Sequence, residues 1–158
     1  MKLTSTVCID APPSQVWAVL SNLEAIHHWV RAIRHSHCPG QSRGVGALRV
    51  CELRQATIRE TITQWDEGRS FTYQGVGAPM MKSATTTWAV SEHEGKTLVT
   101  STAEVELKGG VFGWLLMPLV RAMSLRLGAQ SLASLKYLVE HGEPYRDSAP
   151  LPAAPATC

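Results

Sequence analysis

The sequence has no run of basic residues. Its 15 lysines and arginines and 13 acidic residues are scattered over 158 positions, for a formal net charge of +2. Nothing in that distribution tracks a phosphate backbone, so no nucleic-acid partner is expected. Long apolar runs are missing as well. VFGWLLMPLV, residues 111–120, is the longest stretch, and it is far too short to span a bilayer. Cysteine is sparse: Cys8, Cys38, Cys51 and Cys158 fit neither a zinc site nor a redox CxxC pair. The start, MKLTSTVCIDAPP, alternates like a strand and shows no apolar leader. Reduced thiols in a cytoplasm are therefore expected.

The signatures of several chemistries are also lacking. There is no Gly-x-Ser-x-Gly elbow, and GVGALR is too short and in the wrong context for a phosphate loop. His35 and His37 share a strand face and Cys38 follows, but no third ligand lies at a recognisable spacing. Zinc needs three or four, so neither metal nor other cofactor is expected. His27 and His28 read as helix-end residues. No internal repeat is present.

What is there is an ordinary globular balance, 44% hydrophobic and 18% charged. That balance and the length suit one domain over residues 1–142. The last residues, 143–158, carry four prolines after a glycine C-cap at Gly142 and read as a flexible tail. KLTSTVCI (2–9) alternates as a strand. Pro12 and Pro13 stop it, and Val16, Val19, Leu20 and Leu23 recur at helical spacing, divided near Ser21 and Asn22 into two short helices. From about 31 to 107 the text is strands and turns, beginning with RAIRHSHC. One long helix runs from 111 to about 141, with Pro118 in its first turn or at a kink. Its expected apolar stripe is Leu116, Val120, Met123 and Leu127, continued by Ser131, Leu135 and Leu138.

The order strand, two short helices, six strands, long helix specifies an α+β fold. A seven-stranded antiparallel sheet has one face to cover, and the C-terminal helix is the available cover. Ser124, Gly128 and Ser131 are small where a packed core wants bulk. They either border a cavity or permit close helix–sheet contact.

The stretch GALRVCELRQATIRETITQW (46–65) reads as a hairpin with a charge on its dry side. Ile58, Glu60 and Ile62 point to one face. A tight turn at Arg54 and Gln55 pairs Leu53 with Ala56, Cys51 with Ile58, Arg49 with Glu60, and Ala47 with Ile62. Arg49 is thus the expected partner of Glu60. The pair is a register-setting buried salt bridge, an ordinary surface pair, or a polar anchor in an apolar pocket. Alternation offers further lining residues: Phe71 and Tyr73, then Met81, Ser83 and Thr85, then Val99, Ser101 and Ala103. Trp29 falls where the short helices meet the sheet.

This element order, together with IDAPPSQVWAVLSNLEAIHHW, GVGALRV, IRETITQWDEGRSFTYQGVGAPM and TTTWAV, resembles the SRPBCC superfamily, also called START-like or birch-pollen-allergen-like. The bacterial polyketide cyclase/dehydrase group is the nearest in pattern, over residues 2–141. The resemblance implies a helix-grip fold, a curved sheet wrapped on the long helix around a cavity for a hydrophobic or aromatic molecule. In the plant hormone-receptor branch the position matching Glu60 contacts ligand through water. The basic residue of the second strand aligns with Arg34.

The expected function is therefore binding of a polyketide- or lipid-like molecule. Trp29, Arg34, Arg49, Ile58, Glu60, Ile62, Phe71, Tyr73, Met81, Ser101, Met123, Leu127 and Ser131 are its candidate contacts. A rival is cyclisation or dehydration in the same cavity, with Arg49 on an enolate oxygen and Glu60 or Tyr73 moving a proton. A third reading makes Phe112, Trp114 and Leu115 an apolar lip facing a membrane or a protein, against a lid packed on the cavity mouth. A monomer or a homodimer fits each of these.

Overall fold

The computed structural model describes residues 1–109 and 115–158. The strands are β1 (Lys2–Ile9), β2 (His35–His37), β3 (Leu48–Glu52), β4 (Thr57–Asp66), β5 (Ser70–Val76), β6 (Met81–His93) and β7 (Lys96–Leu107). Between β1 and β2 lie helix α1 (Pro13–Leu20) and a 3-10 helix (Leu23–His28), and helix α2 (Gly110–His141) follows β7. All seven strands form one antiparallel sheet in the order β1-β7-β6-β5-β4-β3-β2. The chain starts at one edge and crosses to the other through the two short helices. It then meanders back until β7 lies beside β1. This is the helix-grip arrangement. The strand expected from RAIRHSHC is shorter than that stretch: Arg31 to Arg34 are turn and loop, and only His35–His37 pair with β3.

The α1 helix begins without a side-chain cap, its Pro13 in the first turn where a missing N–H costs nothing. Val16, Trp17 and Leu20 are its buried face. Trp17 reaches the far end of the sheet, packing edge-on against Trp65 and Phe71. Its indole N–H donates to Glu67 Oε1 at 2.8 Å, and that of Trp65 donates to Oε2 at 2.8 Å. Arg43 pairs with the same carboxylate. One exposed glutamate in the β4–β5 turn therefore ties α1 and a loop to the sheet. These bonds, led by that to Arg43, hold the Glu67 carboxyl down at about 2.

Two bulges change which side chains face inward. On β4 the register slips between Ile62 and Gln64, so Trp65 joins Ile62 on the inner face. On β6 it slips between Met81 and Ser83. The extra residue, Lys82, moves Met81 onto the face shared by Ala84, Thr86 and Trp88.

The helix stripe is corrected in its first half. Leu116, Met123 and Leu127 are 38%, 58% and 50% exposed. The face turned to the sheet carries the small residues Ser124, Gly128 and Ser131 before Leu132, Leu135 and Val139. A Cβ on Gly128 would lie in ordinary contact, 3.6 Å from Ser5 Oγ, so the missing side chain leaves room beside β1. The C-terminal half is anchored: Lys136 Nζ donates to the Cys8 carbonyl at 3.0 Å, and Glu140 accepts from Asp10 N–H at 2.8 Å.

The tail is not loose at its end, and two of the four thiols are not reduced. Cys8 and Cys158 form a disulfide, leaving Cys38 and Cys51 free. Cys8 N–H donates to the Pro155 carbonyl at 2.8 Å, and Thr6 Oγ1 to that of Ala156 at 2.8 Å. Ala154 packs on the core. Residues 154–158 thus run along the open edge of β1, where unpaired backbone groups would otherwise invite another strand. The alternation of β1 marks Cys8 as outward-facing but cannot show that the far terminus covers it. Among the described residues, no helix is long and apolar enough to cross a membrane.

Candidate functional site

The β3–β4 hairpin has the register its alternation implies: Arg49 lies opposite Glu60, Cys51 opposite Ile58, and Leu53 N–H donates to the Ala56 carbonyl. Arg49 Nε donates to Glu60 Oε2 at 2.6 Å, and Cys51 Sγ–H reaches the same oxygen at 3.4 Å. Both charges are out of solvent, Arg49 at 1% and Glu60 at 7% exposure. An ordinary surface pair is thereby excluded. The guanidinium carbon lies 5.1 Å from the Tyr73 ring centroid, a cation–π contact that orients the fork.

The electrostatics follow from that burial. Desolvation pulls the Arg49 pKa down, but Glu60 and Tyr73 outweigh it and the guanidinium stays charged. Burial, then the Glu60 charge, pushes the Cys51 thiol up to about 12 and the Tyr73 hydroxyl up to about 12. Cys51 is therefore no nucleophile at neutral pH, and Tyr73 keeps its proton.

Between the sheet and α2 lies a cavity of about 320 Å³. Of the expected lining residues, Ile58, Glu60, Tyr73, Met81, Ser101, Leu127 and Ser131 face it, as does Ala103. Others do not. Arg49 lies behind Glu60 and away from the cavity surface. Ile62, Phe71 and Val99 belong to the solid core beyond one end of the hollow. Trp29 is buried against Trp88, ring centroids 5.3 Å apart. Arg34 is exposed, because the loop before β2 gives its inward position to Ile33; Arg31 borders the cavity instead. Met123 is on the outer side of α2. Ser83 and Thr85 point away because of the β6 bulge. Leu115 is exposed, while Phe112 and Trp114 lie outside the described residues.

Several wall residues escaped the sequence reading. Leu3 and Ser5 stand on β1, whose alternation already marked them. Thr86 and Trp88 on β6 carried no signal, since the bulge shifts the phase. Ile26, Val30 and Ile33 come from the 3-10 helix and the loop after it, where no period applies. Gly75, directly opposite Glu60, leaves the carboxylate open to the hollow.

The wall is mostly apolar, with Arg31, Glu60, Tyr73, Thr86, Gln130 and a few serines as polar points. The hydrogen bonds that Glu60 accepts from the described residues all end on Oε2. Glu60 lies on the cavity wall, and its Oε1 has acceptor capacity to spare. Among the described residues, no three His, Cys, Asp or Glu side chains are grouped to hold a metal.

Solved structures share this architecture at low sequence identity. Zhui aromatase/cyclase from a Streptomyces species superposes with a TM-score of 0.77 at 14% identity, covering 89% of this chain and 94% of its own. TTHA0849 from Thermus thermophilus gives 0.75 at 20%, covering 90% and 99%. A START superfamily protein from Mycobacterium smegmatis gives 0.71 at 16%, covering 89% and 97%. At these identities the likeness is one of fold. No curated protein matches the sequence. The polyketide cyclase / dehydrase and lipid transport family matches residues 1–140, nearly everything outside the tail, and the chain belongs to that family.

Proposed function

We propose that this protein binds a largely apolar small molecule in the cavity between sheet and α2, with a hydroxyl of the ligand donating to Glu60 Oε1. The observation that carries the reading is a buried carboxylate on the wall of a mostly apolar hollow, with one oxygen held by Arg49 and the other accepting nothing from the described residues. Burial of the ligand's apolar surface supplies affinity, and the fixed acceptor supplies orientation. Arg49 acts from behind, holding Glu60 in one rotamer and balancing its charge. The family and the Zhui fold likeness support a cavity protein of this kind. A second reading has a bound polyketide-like molecule cyclise or lose water there, with Tyr73 as a donor that stays protonated.

Naphthalene and 2-naphthol differ by the one group in question. Isothermal titration should show wild type favouring the naphthol by about tenfold or more, the worth of a hydrogen bond to a charged group. A double variant, Glu60→Leu with Arg49→Met, removes the acceptor without stranding a buried charge, and should bind both equally. Equal binding of the two by wild type would refute the assignment.

A further inference from the structure

The cavity wall carries two charged side chains, and they are balanced differently. Glu60 is buried and paired with Arg49, so the two together present no net charge to the hollow. Arg31 is the other. It lines the wall yet is exposed, as is its neighbour Ala32, so this loop stands where the cavity meets water. Arg31 forms no ion pair among the described residues. The remaining stretch, 110–114, contains no acid.

The arginine is nevertheless held in place. Its Nη2 donates to the Asp147 carbonyl at 3.0 Å, and its guanidinium carbon lies 6.0 Å from the centroid of the Tyr145 ring. Tyr145 is braced in turn. Its ring packs edge-on against Tyr137 of α2, and its hydroxyl donates to the Ala149 carbonyl at 2.9 Å. The Asp147 carboxylate is turned to its own bend, accepting from Ala149 N–H at 3.1 Å. The tail therefore fixes Arg31 through a neutral carbonyl and a ring face, and leaves its charge uncancelled. Asp147 engages only Nη2, so the guanidinium keeps donors for a planar carboxylate.

We infer that the ligand is an acid as well as an alcohol: an apolar body whose hydroxyl meets Glu60 and whose carboxylate pairs with Arg31 at the mouth. This rests on the cavity reading above and adds the chemical class to it. Entry the other way round would set the ligand's carboxylate against Glu60, so the two charges also fix its direction.

10-Hydroxydecanoate and its methyl ester share chain and hydroxyl and differ in charge at the far end. Calorimetric titration of both into wild type, Arg31→Gln and Arg34→Gln tests the inference. Arg31→Gln should bind the acid about fivefold more weakly than wild type does. It should bind the ester equally well, which also verifies its folding. Arg34 is exposed and does not border the cavity, so Arg34→Gln should match wild type for both molecules. Added salt should narrow the difference between wild type and Arg31→Gln for the acid. Ester binding by wild type, with acid binding unchanged in Arg31→Gln, would overturn the assignment of Arg31 and spare the cavity reading. Equal losses of acid binding in both variants would overturn it too, since general surface charge would then suffice. Binding of neither molecule by wild type would overturn the two readings together.

Discussion

Single carboxylates carry two different tasks in this molecule, and their surroundings decide which. Glu60 is desolvated, paired and turned toward a hollow. Glu67 is exposed yet accepts from two indoles and an arginine, tying α1 to the sheet. The Glu67 carboxyl lies at about 2 in the fold, against an ordinary value of 4.5. A depressed carboxyl stabilises the fold at pH above the unfolded value, and the contribution is lost as pH falls through the folded one. Wild type should therefore melt higher than Glu67→Gln at neutral pH, with the gap closing between pH 4.5 and 2. Thermal melts of both proteins across that range check this. A gap that persists unchanged down to pH 2 would mean that the charge of Glu67 is not what the clamp uses.

At the scale of elements, what could be read in advance depended on whether a simple period was kept. The β3–β4 hairpin has no bulge at Arg49 and Glu60, so counting outward from a two-residue turn placed the pair correctly. On β6 the same counting failed, because one extra residue at Lys82 inverts the faces and leaves no trace in composition. Helix α2 misled for another reason. A leucine stripe normally marks the buried face, but here the first half of the helix spans a hollow and turns Ser124, Gly128 and Ser131 toward it. Those small residues were the truer signal of a cavity. Arg34 failed because an alignment position was carried into a stretch that here is loop, where Arg31 and Ile33 take the inner positions. The contacts of Trp17 with Glu67 link sequence positions fifty apart, and no local pattern foretells them.

Taken whole, the molecule is a sheet closed at one edge by its own terminus. The Cys8–Cys158 bridge joins residues separated by 150 positions and fastens the tail along β1. A cross-link over so long a loop is worth about 2–4 kcal/mol by restricting the unfolded chain. Cys158→Ser should melt several degrees lower, and dithiothreitol should bring wild type down to that level without affecting the variant. Identical melts of oxidised wild type and variant would show that the bridge adds no stability, and an insensitive wild type would show that it does not form.

The hollow between sheet and helix is the feature on which the proposed function turns, and native mass spectrometry of protein purified from its own host reads its contents directly. Ala84 faces the cavity and Thr85 does not, so tryptophan at each position separates filling from mere bulk. The account predicts a small apolar adduct on wild type and on Thr85→Trp, released on denaturation and missing from folded Ala84→Trp. Wild type that carries no adduct and takes up neither naphthalene nor 2-naphthol, or an adduct that survives in Ala84→Trp, would contradict it.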